Sequence, residues 1–255
     1  MDEKLIKLGE NNQSDQRLPK VILGCLLHDI GKIVQRSELL GKPNQANHSE
    51  YGEQYAKKYL KIEDPDILEQ ILYHHEKWGK NEIPILKNAY QEGKIKKDSL
   101  AFIADCADNI ASGCDRRLRE EGADIPGWKQ YRALHSVFNC LYEEKEIFRY
   151  SECKLMKRNE IPYPDKDQFT YTKEYYAGQL NGFYKEVDNA KLIPLKEYNF
   201  INALICLLEK YFTFMADDTS NEKLGDISLF DHLKMTAAFG SCIYLYAKDQ
   251  EYTDY

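Results

Sequence analysis

Hydrophobic residues along the chain recur mostly every three to four positions, and alternation with a period of two is scarce. The first spacing places apolar side chains on one face of an α-helix, whereas alternation is typical of β-strands. Several periodic stretches begin at a proline or at a residue that caps helices well, namely Pro19, Ser49, Asp64-Pro65 and Ser99. The pattern predicts an all-α fold.

The middle of the chain is less regular than its two ends. Residues 113–129 form a charged stretch with glycines and a proline, and a helix is predicted over 131–150. Residues 151–199 contain prolines, many tyrosines and weak periodicity, which indicates an irregular insertion. Helical patterning resumes over 200–215 and from about 229 to 247.

A chain of 255 residues can form one large domain or two small ones. We expect a single domain with its core in residues 1–112 and 200–247, to which 113–199 adds a loop, a helix and the insertion. The net charge of −7 provides no overall positive field for nucleic acid. Contact with DNA or RNA would therefore need a local basic patch, metal ions or partner subunits.

The seven cysteines are odd in number and never spaced as Cys-x-x-Cys. This pattern disfavours a zinc ribbon or a disulfide scaffold and favours a reducing cytoplasm. The first residues are polar and lack the apolar core of a signal peptide. The longest apolar stretches are too short to cross a bilayer. We expect a cytoplasmic protein with no membrane contact.

Histidines are concentrated near the start of the chain, where four of the six fall between residues 28 and 75. His28 and Asp29 follow an apolar run, and Gly31 comes two positions after Asp29. Imidazole nitrogens and carboxylate oxygens both bind borderline transition metals. An adjacent His-Asp pair also occurs on ordinary surfaces, and the other three histidines, His48 and His74-His75, could cap or end helices.

Two aspartates, Asp105 and Asp108, lie three positions apart on a mostly apolar predicted helix. They share a helix face, where like charges are unfavourable unless solvent or a cation lies over them. A solvated acidic face and a cation site are both open interpretations of this pair.

Four short segments carry a resemblance to a known family: Leu26-Leu27-His28-Asp29-Ile30-Gly31-Lys32, His48-Ser49-Glu50-Tyr51-Gly52, His74-His75 and Ala107-Asp108-Asn109. Their order resembles the HD superfamily of metal-dependent phosphohydrolases. That superfamily also has a histidine before its His-Asp pair, and this chain has none before His28. Residues 228–237, which include His232, resemble the helix that carries the missing histidine. The resemblance implies a circularly permuted HD domain with His232 beside His28 and Asp29.

In combination, these segments resemble the HD nuclease region of the large subunit of type III-A CRISPR effector complexes, over residues 18 to about 247. This resemblance implies cleavage of single-stranded DNA, together with other effector subunits and a guide RNA. Palm domains of the family make cyclic oligoadenylates, but their Gly-Gly-Asp-Asp signature is absent here. We therefore expect an HD region without its palm domains.

The resemblance also implies a ligand set for one or two divalent transition-metal ions: manganese, nickel, cobalt or iron. One ion would bind to His28, Asp108 and His232, and the other to His48, His74 and His75. Asp29 would bridge the two ions, and Lys32 would meet the scissile phosphate. We expect the insertion at 151–199 to pack on the helices without lining this site.

Two other functions fit the same residues. One is a stand-alone HD phosphohydrolase acting on nucleotides, and the other is a catalytically silent HD fold kept for docking. An exposed helix lysine remains the alternative for Lys32.

Overall fold

The computed structural model describes residues 16–75, 85–115, 130–141, 147–152, 162–166, 170–192, 200–219 and 225–255. It confirms the predicted all-α class, since the regular elements of these ranges are helices and β pairing is limited to isolated bridges. The helices are α1 Arg17–Leu27, α2 Ile30–Ser37, α3 His48–Lys58, α4 Pro65–Leu72, α5 Leu86–Gln91, α6 Ala101–Asp115, α7 Lys173–Asn189, α8 Phe200–Phe212 and α9 Leu229–Asp249.

The predicted helix start at Asp64-Pro65 is confirmed by its cap, and the helix start predicted near Pro19 agrees with a helix that begins at Arg17. Asp64 accepts a hydrogen bond from the backbone N–H of Asp66, and Pro65 occupies the first turn of α4. The cap of α3 is Asn47 instead of Ser49, because Asn47 and Glu50 form a reciprocal capping box. Ser228 caps α9 through the backbone N–H of Asp231.

The His28-Asp29 pair lies between two helices and not within one of them. It occupies the junction between α1 and α2, where Asp29 leaves helical geometry with φ −105° and ψ 10°. The two side chains therefore project from a bend between two buried helices.

The helix predicted over 131–150 is wrong. Arg132, Ala133 and His135 instead make isolated antiparallel bridges to distant residues, and a short 3₁₀ helix spans Val137–Leu141. Backbone pairing with remote segments overrides the local helical spacing here.

The irregular insertion predicted over 151–199 is also partly wrong, because α7 is a regular helix capped by Thr172. Tyr176, Leu180, Phe183 and Val187 form its buried stripe. Aromatic residues supply half of that stripe, which explains why an aliphatic pattern was hard to see. Of the residues covered by these predictions, 116–129, 142–146, 153–161, 167–169 and 193–199 lie outside the described part of the chain.

The packing brings the two ends of the chain together. α9, the last helix, packs on α1 and α6, while α2 packs on α3 and α7. Buried side chains of α1–α4 and α6–α9 form one large hydrophobic cluster, and those of α5 belong to a second, smaller one. Within the described residues, no helix combines the length and apolarity needed to span a bilayer.

The contact between α2 and α3 depends on Gly31. A Cβ atom at this position would lie 1.7 Å from the carbonyl oxygen of His48 and 2.6 Å from the backbone nitrogen of Gly52. Since these neighbours are backbone atoms, they cannot move aside without separating the helices. The absent side chain of Gly31 therefore sets the distance between Asp29 and the start of α3.

We predict that Gly31→Ala destabilises the protein by about 1–3 kcal/mol, because overpacking forces the backbone apart. Urea unfolding followed by circular dichroism measures the change. Gly178→Ala on α7 is the matched control, since a Cβ atom added there would have no neighbour within 4 Å. The free energy of unfolding of this control should equal that of the wild type or exceed it by up to about 1 kcal/mol. Equal stability of the two variants would contradict the close approach of α2 and α3 at Gly31.

Candidate metal centre

All seven candidate ligands predicted from the sequence converge at one place. His28 and Asp29 come from the α1–α2 junction, and His48 is the first residue of α3. His74 and His75 follow the end of α4, Asp108 lies within α6, and His232 lies in the first turns of α9. Five segments of the chain thus contribute to a single cluster.

One half of the cluster surrounds His28. Its Nε2 atom lies 3.3 Å from Asp29 Oδ2 and 3.3 Å from His232 Nε2. Asp108 Oδ1 lies 3.1 Å from His232 Nε2 and 3.7 Å from His28 Nε2. The expected proximity of His232 to His28 and Asp29 is confirmed, although 204 positions separate the two histidines.

The other half contains three imidazoles. His48 Nε2 lies 2.9 Å from His75 Nε2, and the ring of His74 stacks at a tilt on both neighbours. One ligand atom from each of these three residues lies within 4.8 Å of the others. The same holds for His28, Asp29 and His232 in the first half.

Asp29 lies between the two halves and presents one oxygen to each. Its Oδ2 atom faces His28 and, at 3.5 Å, His232. Its Oδ1 atom lies 3.3 Å from His48 Nε2 and 3.6 Å from His74 Nε2. This arrangement is the one that a bridging carboxylate would adopt.

Backbone carbonyls orient two of the histidines. The Nδ1 atom of His28 lies 2.7 Å from the Cys25 carbonyl oxygen, and that of His74 lies 2.9 Å from the Ile71 carbonyl oxygen. A carbonyl can only accept, so each Nδ1 carries the hydrogen and donates it. When either ring is neutral, its Nε2 lone pair points into the cluster, as is usual for metal-bound imidazoles.

The donor set fits a divalent metal ion. His74 Nε2 and Asp29 Oδ1 are buried and have no hydrogen-bond partner among the described residues. Buried polar atoms without partners are costly, and a cation between them would satisfy both. Imidazoles combined with carboxylates suit first-row transition metals better than magnesium or calcium.

The electrostatics of the two halves differ. Burial alone would lower the pKa of His28, but Asp29 and Asp108 raise it to about 9. Burial alone would raise the pKa of Asp29 and Asp108, but neighbouring cations and hydrogen bonds hold both below their ordinary values. In the other half, burial and neighbouring positive groups lower the pKa of His48 to about 3 and that of His75 to about 2.

Lys32 occupies a different position from the one expected of a phosphate contact. Its Nζ atom lies 2.6 Å from Asp29 Oδ2 and 2.6 Å from Asp217 Oδ1. Its side chain is 20% exposed. Two carboxylates therefore already hold its ammonium group at the edge of the site.

Asp217 and Arg36 are the two residues of this site that sequence reasoning missed. The guanidinium of Arg36 is buried and donates to the backbone carbonyls of Ala216 and Asp217. The position of Arg36 among apolar residues of α2 could have indicated a buried ion pair or hydrogen-bonded partner, since a buried arginine needs one. Asp217 lies in a polar turn, where the sequence offers no such signal.

The insertion contributes to the site only indirectly. Among its described residues, none belongs to either group of candidate ligands. α7 packs on α2 and α8, and the Arg36 guanidinium lies 5.7 Å from the ring centre of Tyr176. The insertion therefore supports the helix that carries Lys32 and Arg36.

Comparison with known proteins gives consistent results. Residues 4–113 match the family described as "HD domain". The chain is 31% identical to the "CRISPR system single-strand-specific deoxyribonuclease Cas10/Csm1 (subtype III-A)" of Mycobacterium tuberculosis. That alignment covers 94% of this chain and 30% of the relative, so the chain spans less than a third of the relative's length.

Solved structures resemble the fold over a similar extent. The crystal structure of Csm1 in T. onnurineus has a TM-score of 0.57 and 26% identity, covering 88% of this chain and 28% of that one. A Csm1-Csm4 cassette in complex with pppApA has a TM-score of 0.59 and 26% identity, covering 89% and 28% of the two chains.

We predict that binding of Mn²⁺ releases about one proton near pH 7. Because the pKa of His28 is about 9 without a metal, its ring is protonated at pH 7 and must lose that proton to bind a cation. His48 and His75 are already neutral and release none. The apparent affinity for Mn²⁺ should rise about tenfold between pH 7 and pH 8, because less of the His28 ring is protonated at the higher pH.

Isothermal titration calorimetry in two buffers of different ionisation enthalpy measures the released protons. A binding enthalpy that is independent of the buffer would contradict the prediction. His28→Gln is the control variant, since a ring that is absent cannot release a proton.

Proposed function

This chain carries an HD domain and is a relative of the subtype III-A Cas10/Csm1 proteins, and on that premise we propose that it is a metal-dependent phosphodiesterase that cuts single-stranded DNA. The observation that carries the proposal is the position of Asp29, whose two oxygens face two separate groups of imidazoles. Two groups of ligand atoms that face one carboxylate would suit two cations that share it.

We propose that His28, Asp108 and His232 hold one ion, and that His48, His74 and His75 hold the other. Asp29 would bind both. Bound there, one or two divalent ions would supply a water of lowered pKa and positive charge for the oxygens of an in-line displacement. The protein's own contribution is to fix the ring tautomers through Cys25 and Ile71 and to exclude water from Asp29.

The histidine-rich donor set favours manganese, nickel, cobalt or iron over the harder cations. The contacts of Lys32 favour a role in positioning over direct contact with the scissile phosphate, because two carboxylates already hold its ammonium group. Asp29 is the stronger candidate for a direct catalytic role.

Single-stranded DNA is the proposed substrate because the Mycobacterium relative is named for activity on it. The net charge of −7 provides no broad attraction for DNA. We therefore propose that other CRISPR effector subunits and a guide RNA deliver the strand to this site in the cytoplasm. A Csm4-type subunit is one such partner, since a similar structure is a Csm1-Csm4 cassette.

We predict that His28→Ala and Asp29→Ala lower Mn²⁺-dependent cleavage of single-stranded DNA by more than about 100-fold. Loss of a group that only orients a metal ligand costs about 10- to 100-fold, and a direct ligand contributes more. A fluorescent oligonucleotide resolved on a denaturing gel measures the rate. Circular dichroism checks that both variants remain folded.

Asp188→Ala on the exposed face of α7 is the matched control, and it should cut at the wild-type rate. Cleavage of single-stranded DNA by Asp29→Ala at the wild-type rate would contradict the proposed mechanism. Hydrolysis of free nucleotides without cleavage of DNA would favour the nucleotide phosphohydrolase. No hydrolysis of either substrate, with metal bound, would favour the docking module.

A further inference from the structure

The ammonium group of Lys32 competes with a metal ion for the same oxygen atom. Lys32 Nζ lies 2.6 Å from Asp29 Oδ2. That oxygen is also 3.3 Å from His28 Nε2 and 3.5 Å from His232 Nε2, so it belongs to the first half of the metal cluster. A lysine and a divalent cation cannot both make close contact with one carboxylate oxygen without mutual repulsion.

Asp217, which belongs to neither group of candidate ligands, offers the ammonium group a second acceptor. Its Oδ1 atom lies 2.6 Å from Lys32 Nζ, the same distance as Asp29 Oδ2. The lysine is thus shared equally between a ligand of the metal cluster and a carboxylate outside it.

The backbone of Asp217 is held independently of its side chain. Arg36 donates to the carbonyl oxygens of Ala216 and Asp217 at 2.6 and 2.8 Å. The backbone N–H of Asp217 donates to the carbonyl of Ile227 at 2.9 Å. These bonds use only backbone atoms of Ala216 and Asp217, so the Asp217 carboxylate is not needed to make them. Its Oδ1 atom is placed to receive a cation.

We propose that Asp217 is a positioning residue that draws the Lys32 ammonium away from Asp29 Oδ2 and so opens this oxygen to a divalent ion. The inference rests on the proposed function, because it concerns the same metal cluster. Without a metal, Lys32 neutralises part of the charge of Asp29. When a cation binds, the ammonium transfers its hydrogen bond fully to Asp217.

The test is a set of Mn²⁺ titrations, by calorimetry and by electron paramagnetic resonance, on the wild-type chain and four variants. Asp217→Asn should bind Mn²⁺ about 10- to 100-fold more weakly, because the full charge of Lys32 then remains on Asp29. Lys32→Met should bind at least as tightly as the wild type, since the competing cation is gone. The double variant should match Lys32→Met within about threefold.

The rescue by the second substitution separates this proposal from a structural role. If Asp217 only held the fold together, the double variant would bind no better than Asp217→Asn. Asp188→Asn, which removes an exposed carboxylate from α7, controls for the change in net charge and should bind like the wild type. Thermal unfolding of each metal-free variant reports whether it folds.

Equal Mn²⁺ affinity of Asp217→Asn and the wild type would overturn the proposal, as would failure of the double variant to recover. If Asp217→Asn does not fold, Lys32→Met alone decides: a loss of affinity greater than about tenfold overturns the proposal, and unchanged or tighter binding supports it. The wild-type chain and its variants could show the expected order of Mn²⁺ affinities while the wild type cuts no single-stranded DNA. That result would support the positioning role of Asp217 and refute the proposed function.

Discussion

The buried carboxylate of Asp29 is the constraint on which the rest of the site depends. Its side chain is 2% exposed, so its negative charge must be compensated by groups within the protein. Four imidazoles and one ammonium group surround it. Each of these groups lies on a helix, at a helix junction or, for His74, directly after the end of α4. Three features bring charged or imidazole groups towards Asp29. They are the close contact at Gly31, the turn that Arg36 holds, and the packing of α9 on α1.

The sequence predicted the candidate site better than it predicted the local structure around the middle of the chain. His28, Asp29 and the later histidines stand out because their residue types have few structural uses in an apolar setting. His232 could be placed only through the family resemblance, since nothing in its own neighbourhood indicates which distant helix it meets. The packing of α9 on α1 then brings its Nε2 atom to 3.3 Å from that of His28.

The failures have physical causes that no local pattern reveals. Residues 131–136 have helical spacing, but their backbone pairs with segments more than ten positions away. α7 was missed because Tyr176 and Phe183, which are buried, belong to a tyrosine-rich stretch with prolines nearby. The sequence does not indicate a role for Asp217, because that role depends on its contact with Lys32, which lies 185 positions earlier in the chain.

The order in which the ligands occur along the chain has a consequence for biosynthesis. Six of the seven candidate ligands lie before residue 109, whereas His232 is on the helix that packs against α1 from the other end. A nascent chain that has left the ribosome only through α6 holds most of the cluster but lacks this imidazole. Ribosomes add residues from the amino terminus, so the first half of the cluster closes only after α9 has emerged. A polypeptide interrupted during translation before α9 would thus carry an incomplete set of candidate ligands.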